Sequence, residues 1–246
     1  MTTTGSDKTN MVKRSRPGII GGMGPMATAL FLKMIIEMTD ARTDQEHVDL
    51  VIEHCPGIPD RTAFILGESK ADPFPMSLAA GRHLIEAGAD QIVIPCVTAH
   101  YFRERLEQIL KVPLMDGVEE TAAALHEMGV QSAGILATEG TVRAGIFEDA
   151  MRRQGIRTIY PEAGLQKQVT ALIFDRVKAG RGDDGDALVS VVTEMKRSGA
   201  EAVVLGCTEL SVLADGQTVP ADCADVLRIL ARSVVMRYAS LKGDPQ

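Results

Sequence analysis

Two cysteines in the chain stand where chemistry is done in α/β proteins. Cys96 follows the apolar run Ile92-Val-Ile-Pro95, and Cys207 follows Val203-Val-Leu-Gly206. A cysteine directly after an all-apolar strand lies at that strand's C-terminal end, where open parallel sheets bind their ligands. A helix starting next would favour a thiolate through its amides and dipole, and a thiolate is the form that acts as base or nucleophile. Thr98 and Thr208, each close behind a cysteine, are placed to cap such helices. A lone cysteine is more often a buried packing residue. Two in matching places point instead to a pair of thiols on opposite faces of one carbon, one removing a proton and the other delivering one. That reaction is racemisation, and neither a pyridoxal-phosphate lysine motif nor a metal-ligand cluster accompanies it, so no cofactor is expected.

The other polar candidates are less distinctive. Gly22-Met-Gly-Pro-Met-Ala27 formally fits a dinucleotide fingerprint, with Glu53 as the ribose-binding acid, but Pro25 removes an amide where the pyrophosphate would sit. A loop around Met23 that holds a small carboxylate fits better. Arg61, in the turn-rich Gly57-Ile-Pro-Asp-Arg-Thr62, could clamp a carboxylate with two hydrogen bonds, although a solvated arginine is the ordinary reading. His54 beside Cys55, and His100 four residues after Cys96, do not complete a four-ligand metal set. His100 reads as a helix-surface residue or a hydrogen-bond partner to the site. Cys223 reads as packing within a helix, and Cys55 ends a strand on the edge of the proposed site.

The elements that must position these residues alternate. Strands are expected at 17–20, 49–53, 91–95, 112–115, 132–137, 156–160 and 201–205, with a helix led by Pro25 and others near 77–87, 118–128, 141–153, 165–179, 186–198 and 222–240. Ala27, Leu30, Phe31, Met34, Ile35 and Met38 share one face of the first helix. Strands alternating with helices imply parallel sheets covered on both faces. Gly18-Ile-Ile-Gly21 is echoed 116 residues later by Gly134-Ile-Leu-Ala137, and the cysteine runs are 111 residues apart. The fold class is therefore α/β, with two similar doubly wound parallel-sheet domains related by a pseudo-twofold. The expected division is a loose tail over 1–16, a first domain from 17–116 plus 220–246, and a second over 117–219.

Composition narrows the partners. With 26 Lys and Arg against 33 Asp and Glu, the net charge is −7, the wrong sign for a nucleic-acid footprint. Aromatics at 4% with no Trp offer no base-stacking platform. No apolar run suits a membrane span, the N-terminus lacks the apolar stretch of a secretory leader, and four scattered cysteines do not form a disulfide framework. A cytoplasmic protein with reduced thiols, and with no nucleic-acid or membrane partner, is expected.

Taken together, Gly21-Gly-Met-Gly-Pro-Met-Ala-Thr28, Ile58-Pro-Asp-Arg-Thr62, Pro95-Cys-Val-Thr-Ala-His100, Ala137-Thr-Glu-Gly-Thr141 and Gly206-Cys-Thr-Glu209 resemble the aspartate/glutamate racemase family, cofactor-independent enzymes that use two cysteines. The resemblance implies two α/β domains with the site in the cleft between them, a final helix returning to the first domain, and a homodimer. It implies that Cys96 and Cys207 are the acid–base thiols and that Arg61 and Lys178, in Val177-Lys-Ala-Gly180, hold substrate carboxylates. The Met23 loop and Thr98 would complete the cradle, with Thr138 and Thr208 on the second side. Val97 replaces the family's usual asparagine after the first cysteine, and Cys55-Pro56 its usual Asn-Pro. Loss of a hydrogen bond to a charged group costs about 1.5–3 kcal/mol, so an amino acid or related acid other than aspartate is a candidate substrate. Competing readings are a non-catalytic amino-acid-binding protein, an isomerase of another dicarboxylic acid, and an NAD-dependent oxidoreductase.

Overall fold

A computed structural model describes residues 15–181, 185–217, 220 and 222–243. Most of the tail expected over 1–16 lies outside them. In the first half, β1 (Pro17–Gly21), α1 (Pro25–Met38), β2 (Val51–His54), α2 (Arg61–Ile65), α3 (Phe74–Glu86) and β3 (Gln91–Val93) lead into a 3₁₀ turn (Val97–Phe102). Next come α4 (Arg103–Leu110), β4 (Leu114–Met115) and α5 (Gly117–Glu127). The second half runs β5 (Ser132–Leu136), α6 (Glu139–Arg143), α7 (Glu148–Arg153), β6 (Arg157–Ile159) and α8 (Ala163–Ala171), whose last turns widen into a π-helix (Leu172–Lys178). It closes with α9 (Gly185–Arg197), β7 (Ala202–Leu205), α10 (Thr208–Ala214), β8 (Cys223–Asp225) and α11 (Val226–Tyr238).

Both sheets are wholly parallel and share one strand order, β2-β1-β3-β4 and β6-β5-β7-β8. The repeat seen in the sequence is thus a repeat of topology. β1, β5 and β7 are buried along their whole length, as strands covered by helices on both faces must be, and this is why they read as unbroken apolar runs. The two halves exchange a helix. Val118, Ala122 and Leu125 of α5, which follows the first sheet, pack with Ala133, Ile135 and Val204 of the second. Leu227, Leu230 and Val234 of α11, which follows the second sheet, pack with Ile19, Val93 and Met115 of the first.

Three expectations are corrected. The helix expected over 141–153 is two short helices broken at Gly145, whose φ of +61° belongs to a left-handed turn. The helix expected over 222–240 begins only at Val226, because Cys223–Asp225 pairs with β7 and the Asp225 side chain accepts the Leu227 and Arg228 amides. Cys223–Asp225 therefore adds a strand to the second sheet before α11 crosses to the first, so Cys223 packs from an edge strand rather than from a helix. Among the described residues no helix is long and apolar enough to cross a membrane.

The halves also meet at α2 and α6, where a Cβ on Gly140 would stand 2.8 Å from Thr62 Cα. That neighbour is backbone, which cannot swing aside. Gly140→Ala is expected to cost about 1–3 kcal/mol as overpacking, seen as a lower Tm in thermal denaturation; an unchanged Tm would mean that the halves separate easily at this seam.

Candidate active site

The loops after β1 and β3 leave neighbouring strands of the first sheet at their C-terminal ends, and those after β5 and β7 do the same in the second. The β1 loop is fixed from within. Gly22 has φ +91°, and a Cβ there would lie 2.5 Å from the Pro56 nitrogen, so only glycine allows the loop to lie against the turn after β2. The Gly22 amide donates to Thr28 Oγ1 at 2.9 Å, and that hydroxyl donates to the Gly24 carbonyl at 3.1 Å. With that amide taken, Pro25 lacking one, and Glu53 turned to His83 Nδ1 at 3.3 Å, the dinucleotide reading loses its cradle. The glycines serve backbone approach.

A cleft of about 490 Å³ opens beside this loop, lined among others by Met23, Ile58, Arg61, Val177, Lys178 and Glu209. Arg61, at the first position of α2, is 6% exposed. Its Nη1 donates to the Ile58 and Pro59 carbonyls at 3.2 and 3.0 Å, which aims the guanidinium inward, and Nη2 reaches Cys96 Sγ at 4.0 Å. Burial works to depress its pKa, but the charges of Cys96 and Asp60 outweigh this and hold it above the ordinary arginine value. Its Nε is buried without a partner.

Lys178 comes from the last residue of the π-helix. Its Nζ stands 3.7 Å from Glu209 Oε1 and 3.9 Å from Asp60 Oδ2, so it bridges the halves. Burial alone would lower its pKa; Glu209, Cys207 and Cys96 together raise it, keeping an ammonium within electrostatic reach of both thiols.

The cysteines themselves are buried, Cys96 6% and Cys207 5% exposed. Each lies one contact behind the cleft: Arg61 touches Cys96, and Glu209 Oε2 accepts from Cys207 Sγ at 2.9 Å. Burial pushes the Cys207 thiol well above its ordinary pKa, and the neighbouring Glu209 carboxylate adds to this. The sequence motif assigned Glu209 no role, although the one charged residue of α10, set in its first turn, was a signal that could have found it.

Thr98 and Thr208 do not cap the helices that follow the cysteines. The N-cap positions are Cys96 and Cys207, neither making a side-chain cap. Thr98 Oγ1 instead joins Thr138 and Thr141 Oγ1 at 3.1 and 2.9 Å, a buried three-hydroxyl junction between the halves. Thr138 caps α6 through the Thr141 amide, and Thr208 reaches Glu209 at 3.4 Å. Val97 is buried in the second half's core with Val118, Ile135 and Phe147, away from the cleft wall. Cys55 is half-buried, and burial with the Glu53 charge raises its pKa. Among the described residues no group of three metal-ligating side chains converges.

The Asp/Glu/Hydantoin racemase family model matches residues 20–234, nearly the whole of the described fold. The chain belongs to this family. It is an isomerase acting on amino acids. The racemase is similar to the broad specificity amino-acid racemase RacX of Bacillus subtilis, with 27% identity covering 92% of this chain and 99% of that one. Among solved structures it is similar to the Picrophilus torridus aspartate racemase, with a TM-score of 0.78, 28% identity, and coverage of 93% of this chain and 96% of that one. An aspartate racemase homologue from Pyrococcus horikoshii, at 22% identity and a TM-score of 0.72 over 91% of this chain and 99% of that one, shares the fold. The family and the two-sheet α/β architecture read from the sequence both hold for this racemase.

Proposed function

We propose that the racemase works without a cofactor, by two-base 1,1-proton transfer between Cys96 and Cys207. One sulfur, as thiolate, takes the α-proton; the Cα–H bond breaks and an S–H bond forms, leaving the electron pair delocalised into the carboxylate. The other thiol gives its proton to the opposite face of Cα. The enzyme ends with the two protonation states exchanged, and the reverse reaction restores them.

The single observation that carries this reading is that each buried cysteine, at the end of matching strands β3 and β7, touches one charged residue of the same cleft wall. The hydrogen-bond roles give the resting state. A guanidinium only donates, so Arg61 favours Cys96 as an accepting sulfur; an ionised carboxylate only accepts, so Glu209 requires an S–H on Cys207. Arg61 and Lys178 are the donors for the substrate carboxylate, whose charge grows as the proton leaves, and fixed donors in a site screened from water are strong stabilisers of such charge.

The substrate is an amino acid whose side chain lies along Met23, Ile58 and Val177. Lys178 already faces Asp60 and Glu209. This favours amino acids other than aspartate, and the likeness to a broad-specificity relative supports a wide range. Incubation in heavy water with a panel of L- and D-amino acids, followed by loss of the α-proton NMR signal, tests this. Exchange from both enantiomers of one amino acid is expected; no exchange across the panel would leave a binding protein or an isomerase of a different acid.

A further inference from the structure

In both halves, the residue four positions after the cysteine touches the aspartate that caps the helix exchanged between the halves. In the second half Ser211 Oγ donates to Asp225 Oδ1 at 2.6 Å, and Asp225 caps α11. In the first, His100 Nε2 stands 3.6 Å from Asp116 Oδ1, and Asp116 caps α5 by accepting the Val118 and Glu119 amides at 2.9 and 3.3 Å. The first arm goes one step further. His100 Nδ1 lies 3.1 Å from the carbonyl oxygen of Cys96 itself. A carbonyl only accepts, so Nδ1 carries the hydrogen.

This contact shapes the turn that presents the thiol. The Cys96 carbonyl accepts the Ala99 amide at 3.1 Å, an i to i+3 bond, and the chain winds as a 3₁₀ turn through Phe102. In an α-helix the amide of residue 100 would take that carbonyl. Here the imidazole of residue 100 does so, which favours the tighter turn. The ring is itself held: its side chain is 6% exposed, and Asp116 behind it is fixed by Arg103 Nε on Oδ2 at 2.9 Å as well as by the two amides.

We infer that His100 is a positioning residue for Cys96, its Nδ1–H clamping the Cys96 carbonyl from a buried ring that lies beside Asp116 at the start of α5. The inference rests on the two-thiol reading for its effect on rate, but the clamp on Cys96 can be judged without a substrate.

Two variants separate the clamp from simple packing. Leucine at 100 fills space and donates nothing; asparagine places an N–H near where Nδ1 stands. In His100→Leu, racemisation is expected to fall about 10²-fold, the scale of an ångström misplacement of a reacting group, with KM little changed. Iodoacetamide labelling, resolved by peptide mass spectrometry, is expected to quicken at Cys96 and stay unchanged at Cys207. His100→Asn is expected to restore both readouts. Wild-type labelling of Cys96 in the leucine variant, or equal damage in the asparagine variant, overturns the inference. If the leucine variant does not fold, His100→Gln, whose donor lies one bond further out, replaces it, and equal behaviour of Asn and Gln overturns the clamp. Failure of the two-thiol reading is distinguishable: Cys96→Ala would then racemise at the wild-type rate, whatever the labelling shows.

Discussion

Cys207→Ala is expected to lower racemisation by about 10²- to 10⁴-fold, the range for removing a positioned general acid or base, and Cys96→Ala to do the same. Each must fail in both directions. A racemase has an equilibrium constant of one, so kcat/KM is equal in the two directions, and a base lost from either face slows both. The sulfurs are buried, and removing one to leave only the β-methyl opens a small void, for which a cost of about 1 kcal/mol is typical of point substitutions. Such a loss shifts Tm by a few degrees and leaves the enzyme folded, so the rate can be read on intact protein by chiral chromatography from each enantiomer. Cys223→Ala serves as the control: that sulfur lies on β8 among core residues and faces neither Arg61 nor Glu209, so the rate is expected to hold. A Cys207→Ala enzyme that still racemises at the wild-type rate would remove the two-base assignment.

Much of the fold was legible because it is written in unbroken apolar runs. Strands such as Gly18-Ile-Ile-Gly21 and Ala202-Val-Val-Leu205 have no polar residues because both their faces are covered, and the echo between the halves reflects a shared strand order. Short or locally coded elements were harder. β8 is three residues long, and its Cys-Ala-Asp carries no strand signature; only pairing with β7 makes it a strand. The helix of Arg61–Ile65 is one turn started by an Asp60 cap, too short for periodicity to reveal.

Site residues divided along the same line. The places of Cys96 and Cys207 behind the cleft were legible from position after their strands, and those of Arg61 and Lys178 on its wall from the family pattern. Glu209 was not singled out, because its importance comes from the third dimension: a carboxylate facing a lysine brought in from a different helix and a thiol two residues back. Val97 shows the converse. The motif suggested the cleft, but its apolar side chain turns into the second half's core, where hydrophobic burial outweighs the polar position it occupies in sequence.

Glu209→Gln is therefore the substitution that tests what the sequence left unassigned. The amide keeps the shape but removes the charge, so the Cys207 S–H loses a charge-assisted acceptor and Lys178 loses one of its two counterions, leaving Asp60. Hydrogen bonds to charged groups are worth about 1.5–3 kcal/mol, so kcat is expected to fall about 10- to 150-fold. The direction of the thiol's response separates a chemical role from a packing one. Burial is the first cause of the raised Cys207 pKa and stays, as does the backbone hydrogen bond from residue 209 that lowers it, while the raising contributions of the Glu209 side chain vanish. The Cys207 thiol should then ionise at lower pH than in the wild type, although still above the ordinary cysteine value. Iodoacetamide labelling at Cys207 against pH is expected to shift its midpoint downward. Labelling of Cys223, which does not touch Glu209, should keep its own profile. A lower rate with an unmoved Cys207 midpoint would mean that Glu209 acts through Lys178 alone, holding the ammonium that meets the substrate rather than the thiol that gives it a proton.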